Sequence, residues 1–532
     1  MPMTRSPLGW VATAAALLVL APIAALVLIA VQPTGAEALQ HLASTVLPRY
    51  TLTSVLLLAQ VSVFVLLLGV GAGWLVAAFD FPGRRGLEVA MILPLAMPAF
   101  VLAYAYTDFL DVSGPLQTWL RSVTGWAIGG YWFPEVRSLT GAALFLALAL
   151  YPYVYMLARN AFAERNESLA EAARSLGTPA PWVWWRVTWP VARPAVAAGL
   201  ALVMMETLAD FGTVSFFAVD TFSAGIYRAW QGLGDRTAAA RLSLVLLAAV
   251  LLLIWAERRM RGRMAFHARG ARPARVRRLR GPRGWLASVA CSVPVLAGFV
   301  LPSVLLVRAW WVQGGGLDPR VLSWAANTAL LSAVAVMIVV PLAAALAYAI
   351  RVVQARWIGP LAAVAACGYA VPGIVLGVGL LAVVGAFDRA AAVVPGAGLL
   401  LGGTAVAVVY AYCVRFFAVA LHGLDASLKR IAPSMDASAR TLGAGPFEVL
   451  RRVHWPLLRP SVATAALLVF VDCLKELPAT LVLRPFDFDT LAVVAYQFAS
   501  DERLAEAAVP SLLIVVVGLL PVSVLARSFR RG

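Results

Sequence analysis

The chain has 532 residues, 62% of them hydrophobic and 13% charged, and carries a formal net charge of +17 with a mean hydropathy of +0.85. A water-soluble chain of this length has about a quarter of its residues charged, so composition excludes a soluble globular protein and points to an all-α polytopic membrane protein. The basic excess suits loops that face an anionic leaflet, which makes the lipid bilayer the partner and leaves no need for nucleic acid.

Apolar runs of about 20 residues are long enough to cross the hydrocarbon as helix. Twelve occur, with cores at 10–31, 53–78, 88–108, 140–160, 195–217, 240–256, 285–308, 325–350, 359–385, 400–421, 462–483 and 506–526. The first follows Arg5, but its length and the spans after it predict an uncleaved helix rather than a signal peptide. With the N-terminus inside, most of the 43 Lys and Arg fall on inside segments, and both termini are then cytoplasmic. Pro94 and Pro98 in the third run, and Pro372 with Gly373 in the ninth, put helix breakers at matching places, as where a broken helix lines a cavity or a kink serves packing. The segments 109–139, 218–239 and 484–505 are expected to be outside loops, solvated or docking a partner through charges such as Asp111, Glu135, Asp220, Asp235, Asp489, Asp501, Glu502 and Arg503. Cys291, Cys367, Cys413 and Cys473 lie far apart in apolar runs and read as buried hydrophobes. The four histidines are scattered and suggest no metal site.

Between the sixth and seventh runs stands a cytoplasmic stretch with eleven arginines, from Arg258 to Arg283, and no acid. It separates a first lobe, 1–257, from a second, 285–532, with the linker at 258–284. The lobes are copies. Ser168-Leu-Ala-Glu-Ala-Ala-Arg-Ser-Leu-Gly177 and Ser434-Met-Asp-Ala-Ser-Ala-Arg-Thr-Leu-Gly443 align at one spacing, which also pairs Arg186 with Arg452, Trp189 with Trp455, Pro190 with Pro456, Glu206 with Asp472 and Asp210 with Glu476. Six crossings return a repeat to its starting side, so the lobes are parallel repeats about an axis along the membrane normal, with a pathway between them as the default inference.

The best-kept part of the repeat is a cytoplasmic loop: a short run with small residues (Ala172, Ala173; Ser438, Ala439), a glycine (Gly177; Gly443), then an apolar run ending at Trp-Pro. Small side chains admit a close surface, and glycine lets the chain turn. Trp182, Trp185, Phe447 and Leu450 in the apolar runs either pack on the lobe's own helices or enter a partner.

Glu171-Ala172-Ala173 followed by Gly177 resembles the EAA loop of ATP-binding cassette importer permeases. The resemblance implies a coupling helix that docks into a separate, homodimeric ATPase, and assigns to it Glu171, Ala172, Ala173, Gly177, Trp182, Trp185, Asp436, Ala439, Arg440, Gly443, Phe447 and Leu450. The second copy departs from the motif, with Ala437 at the glutamate position and Asp436 one residue earlier; His454 also falls in this loop, within reach of the ATPase. Two fused lobes with Ala209-Asp-Phe-Gly-Thr-Val-Ser-Phe-Phe217 and Leu474-Lys-Glu-Leu-Pro-Ala-Thr480 are similar to ferric-iron importer permeases; thiamine, polyamine and phosphonate importers share the layout. A periplasmic binding protein is the implied partner outside. The chain has no Gly-x-x-x-x-Gly-Lys-Ser/Thr phosphate loop, so ATP and Mg are expected on the ATPase, no cofactor on this chain, and no enzymatic chemistry in it.

Glu206 and Asp210, and likewise Asp472 and Glu476 with Lys475 beside them, stand four apart, which on a continuous helix places each pair on one face. Two readings stay open: these acids line the path of a cation, or each pairs with Lys475, Arg415 or a helix terminus and fixes packing. Carboxylates suit ferric iron as a hard cation, but release argues against a high-affinity metal site. Among rivals, a two-half secondary transporter would carry its strongest repeat after the second span, where Asp80–Arg85 finds no match at Arg351–Arg356. A membrane enzyme finds no His cluster or nucleophile elbow.

Overall fold

The computed structural model describes residues 7–33, 40, 42–165, 167–262, 276–312, 314–353, 356–393 and 400–531; Arg263, Arg269, Arg272 and Arg275 of the basic linker lie outside them. Among the described residues eleven helices are long and apolar enough to cross a membrane, or twelve if the bent pair Arg84–Ala96 and Ala99–Thr124 forms one span. Helix satisfies every backbone N–H and C=O within its own segment, the condition lipid imposes. The described strand residues are Phe79–Asp80 and Arg277–Arg278, paired in parallel, which tie the end of the linker to the end of the second span.

We number the helices in chain order. In the first half they are α1 (Pro7–Ala30), α2 (Ala43–Ala78), α3 (Arg84–Ala90), α4 (Ala99–Leu110), α5 (Pro115–Thr124), α6 (Leu139–Ala163), α7 (Glu167–Ser175), α8 (Trp184–Ala209), α9 (Gly212–Phe216), α10 (Phe222–Tyr227) and α11 (Arg236–Gly262). The second half has α12 (Pro282–Val312), α13 (Val321–Val353), α14 (Ile358–Ala366), α15 (Gly373–Ala391), α16 (Val406–Lys429), α17 (Pro433–Thr441), α18 (Leu450–Leu474), α19 (Pro478–Leu483), α20 (Leu491–Ser500) and α21 (Leu504–Arg531).

The compact units cut across the sequence repeat. One gathers residues 1–35, 226–247 and 318–494; the other gathers 36–225, 248–317 and 495–532. In the first unit α1 packs on α13, α14 and α15: Tyr410 donates to the Leu18 carbonyl at 3.0 Å, and a Cβ at Gly379 would run into the backbone of Pro22. In the second unit α12 and α21 pack together. Gly298 of α12 admits Pro94 and the backbone of Leu148, and Gly518 of α21 admits Ala96. Each unit is therefore built on the inner helices of one half and the outer helices of the other. Backbone contact at glycine, rather than apolar transfer, is what close helix packing in lipid requires.

The proline positions act as their matching places suggest. Pro98 (φ −60°, ψ 141°) and Pro372 (φ −57°, ψ 140°) both end a 3-10 turn and open a new helix, α4 and α15; proline holds φ but cannot continue an N–H ladder. The first break bends its span by 92°. The segments expected as outside loops differ from expectation. In 484–505, α20 buries Leu491 to Ala495, and in 218–239, α10 buries Phe222 and Ile226. Their apolar side chains found a core once the preceding spans ended early, at Ala209 and Leu474. Cys291, Cys413 and Cys473 are buried, Cys367 partly so, and all four are free.

Candidate coupling loops and intramembrane acids

The two repeated loops close by the same hydrogen bonds. After α7, Gly177 (φ +81°) donates to the Arg174 carbonyl at 2.9 Å and Thr178 to Ala173 at 3.0 Å; after α17, Gly443 (φ +85°) donates to Arg440 and Ala444 to Ala439, both at 3.0 Å. This is a helix end with a left-handed residue, where a side chain is strained and glycine is not. The residue before each glycine is a leucine projecting into solvent, Leu176 at 85% and Leu442 at 88% exposure. Sequence reading passed over both because a leucine in an apolar chain draws no notice. Their signal was positional, an apolar residue repeated one place before a left-handed glycine.

Around that frame the apolar run divides its side chains. Trp182 and Trp185 are 54% and 57% exposed, whereas Val183 and Val449 are buried. Trp184 stacks on Trp189 at 5.6 Å and meets Trp74 of α2 edge-on at 6.1 Å. Self-packing therefore claims one face and leaves the other free. Glu171, Ala172, Arg440 and Gly443 are exposed, Ala173, Ala439 and Leu450 half-buried; the side chain of Phe447 lies outside the described residues.

Asp436 and His454 depart from the expected outward role. Asp436 turns into its own lobe, accepting from Arg351 Nε at 3.0 Å and from His454 Nε2 at 2.7 Å. His454 is buried to 1% exposure, so its own lobe covers it. Burial by itself would raise the Asp436 pKa, but the hydrogen bonds and charges of Arg351 and His454 outweigh it and hold the group below the usual carboxylate range.

The intramembrane acids do not share helix faces in pairs. α8 ends at Ala209 and Asp210 is extended (ψ 132°); α18 ends at Leu474, before Glu476. Each second acid instead caps the short helix that follows. Asp210 accepts from the N–H groups of Thr213 and Val214 at 3.0 and 3.1 Å. Glu476 accepts from those of Ala479 and Thr480 at 3.1 and 3.0 Å, and from the Thr480 hydroxyl at 2.7 Å. Broken backbone at membrane depth frees N–H groups, and a carboxylate satisfies two at once. Glu476 also takes Arg415 of α16 at 3.0 Å. Asp472 pairs with Lys475 at 2.9 Å, and Glu206 is half-buried one turn before the end of α8. Among the described residues no group of three or more His, Cys, Asp or Glu could hold a metal.

A helix–glycine–helix loop repeated in a polytopic chain is matched in known proteins. Residues 69–262 and 340–532 each fit the family model of the binding-protein-dependent transport system inner membrane component. The chain belongs to this family. It is thus a multi-pass inner-membrane permease with two fused lobes. Relatives include the Fe(3+)-transport system permease protein FbpB 2 of Haemophilus influenzae, 27% identical over 89% of this chain and 88% of its own. The sulfate transport system permease CysT of Escherichia coli is 29% identical over 46% of this chain and 88% of its own. The molybdenum transport system permease ModB of H. influenzae is 28% identical over 37% and 87%. The last two match about one lobe; the first runs through both.

In the segments expected as outside loops, most of the expected docking charges are satisfied within the chain. Arg49 pairs with Asp220, Arg484 with Asp489 and Arg503 with Glu506. Arg137 reaches Glu502 at 3.1 Å and Asp111 at 3.8 Å, and Asp235 caps the start of α11 through Thr237 and Ala238.

Proposed function

We propose that this permease imports ferric iron, receiving it from a periplasmic binding protein and moving it to the cytoplasm by ATP-driven alternating access. One observation carries the mechanism: the two loops at Gly177 and Gly443 have the same closing hydrogen bonds and the same exposed leucine, as two copies of one docking surface would. A homodimeric ATPase offers two equivalent clefts to them. Leu176, Leu442, Trp182 and Trp185 supply the apolar contact, ATP and Mg stay on the ATPase, and this chain binds no cofactor. Closure of the ATPase then moves α8 and α18, which follow the loops directly. Both chain termini lie in the cytoplasm, on the ATPase side.

The iron assignment rests on the relative that runs through both lobes. Glu206 and Asp472, one turn ahead of the capping acids, serve the path; a hard trivalent cation prefers such oxygens, and the Lys475 ammonium beside Asp472 keeps that carboxylate from holding cargo too tightly. The test is ATP hydrolysis by the permease reconstituted with its copurified ATPase, driven in turn by binding protein loaded with ferric iron, sulfate, molybdate, thiamine or polyamine. Stimulation by the ferric form alone supports the reading. Stimulation by another cargo discards iron and keeps the mechanism; absence of any copurifying ATPase discards the mechanism.

A further inference from the structure

The two coupling loops share a backbone, and the second is anchored through a carboxylate. In the second, both carboxylate oxygens of Asp436 are used, Oδ2 by Arg351 and Oδ1 by His454. Arg351 ends α13 and also donates to the carbonyls of Leu428 at 2.5 Å and Ile431 at 3.1 Å, at the end of α16. His454, at the head of α18, stands edge-on to Tyr348 of α13 at 5.7 Å. Asp436 of α17 is therefore joined to α13 and α18 directly, and through Arg351 to the end of α16. In the first loop the repeat puts Ala170 at the Asp436 position and Thr188 at the His454 position, both buried and neither charged. There a buried arginine stands ahead of α7: Arg165 donates to the Phe162 carbonyl at 2.8 Å and lies over the Trp74 ring at 5.0 Å, and Arg174 of α7 donates to the Ala170 carbonyl at 3.0 Å. Charged, directional hydrogen bonds fix a geometry.

We propose that Asp436, Arg351 and His454 act as positioning residues that clamp the second coupling loop to the spans of its own lobe, so that it transmits a push from the ATPase rigidly. This rests on the coupling-loop reading of the preceding section. It reassigns Asp436 from a contact with the ATPase to a strut behind that contact.

The assembled transporter gives two readouts. His454→Leu speeds backbone hydrogen exchange across α17 about tenfold and leaves that of α7 unchanged; an unchanged rate in α17, or an equal rise in α7, overturns the proposal. This holds whether or not an ATPase proves to be the partner, so its failure is separable from failure of the coupling reading. In variants, the quantity is iron delivered per ATP hydrolysed. Asp436→Ala and His454→Leu are each expected to lower it several-fold, no further when combined, with the ATPase still copurifying; Asp436→Glu restores it and Thr188→Ala, at the matching first-lobe position, leaves it unchanged. Additive losses, or an ATPase lost from Asp436→Ala but kept by His454→Leu, show a direct contact instead and overturn the clamp.

Discussion

Asp210 and Glu476 are equivalent by the repeat, and both cap the helix after a broken span, yet they live in different company. Glu476 is buried against Arg415; at the repeat spacing the first lobe has Ala149, itself buried. The difference spreads. In the second lobe the helix after the proline break opens with Gly373, where a Cβ would collide with Arg415 and with Glu476 Oε1; in the first it opens with Ala99. Tyr412 joins on the other side, hydrogen-bonded to Thr480 at 2.7 Å. The ion pair fills the space that the missing Cβ of Gly373 leaves open. The same capping task is done in the first lobe by Asp210 with Ala149 at the arginine position, and in the second by an ion pair, with Gly373 leaving it space.

The sharpest way to break this comparison is to remove the arginine. Arg415→Ala leaves Glu476 charged and buried, and a buried pair broken on one side costs about 3–5 kcal/mol; the expected result is loss of thermally stable protein in detergent, with Glu476→Gln in the same background restoring part of it. Next is Gly373→Ala, which pushes a methyl into the pair at a cost of about 1–3 kcal/mol, whereas Ala99→Gly at the matching break costs about 1 kcal/mol or less. If the two melt alike, space for the ion pair is not what selects glycine. Gly177→Val and Gly443→Val each impose a left-handed valine, about 1–2 kcal/mol, and are expected to uncouple transport while leaving the melting of the spans nearly unchanged. Asp210→Asn is the mildest, under about 1 kcal/mol, because an amide oxygen still accepts from Thr213 and Val214; a drop in uptake beyond that would move Asp210 from scaffold to path. Acid adds a small effect at Asp436. Its pKa is lowered on folding, so its contribution is present above the unfolded value and lost as pH falls through the folded one; melting should be flat across the neutral range and fall only in acid.

Hydropathy located the spans because lipid tolerates only backbone that is hydrogen-bonded within itself, and the repeat located the coupling loops because a left-handed helix end favours glycine in both copies. Gly177, Gly443, Pro98 and Pro372 were therefore legible, as was the presence of the four acids. Their direction was not. Helical spacing put Glu206 with Asp210 on one face, but the helix stops between them, and stopping depends on what α9 and its caps gain from the break. Asp436 looked outward in sequence and faces inward in structure, since Arg351 lies 85 residues away along the chain. The exchange of outer helices between halves was invisible too, because a repeat records which segments are alike and not which ones touch. Local chemistry fixes what a residue can do; only the fold supplies the neighbour, here Arg415 for Glu476 and Arg351 for Asp436, that decides which of those things it does.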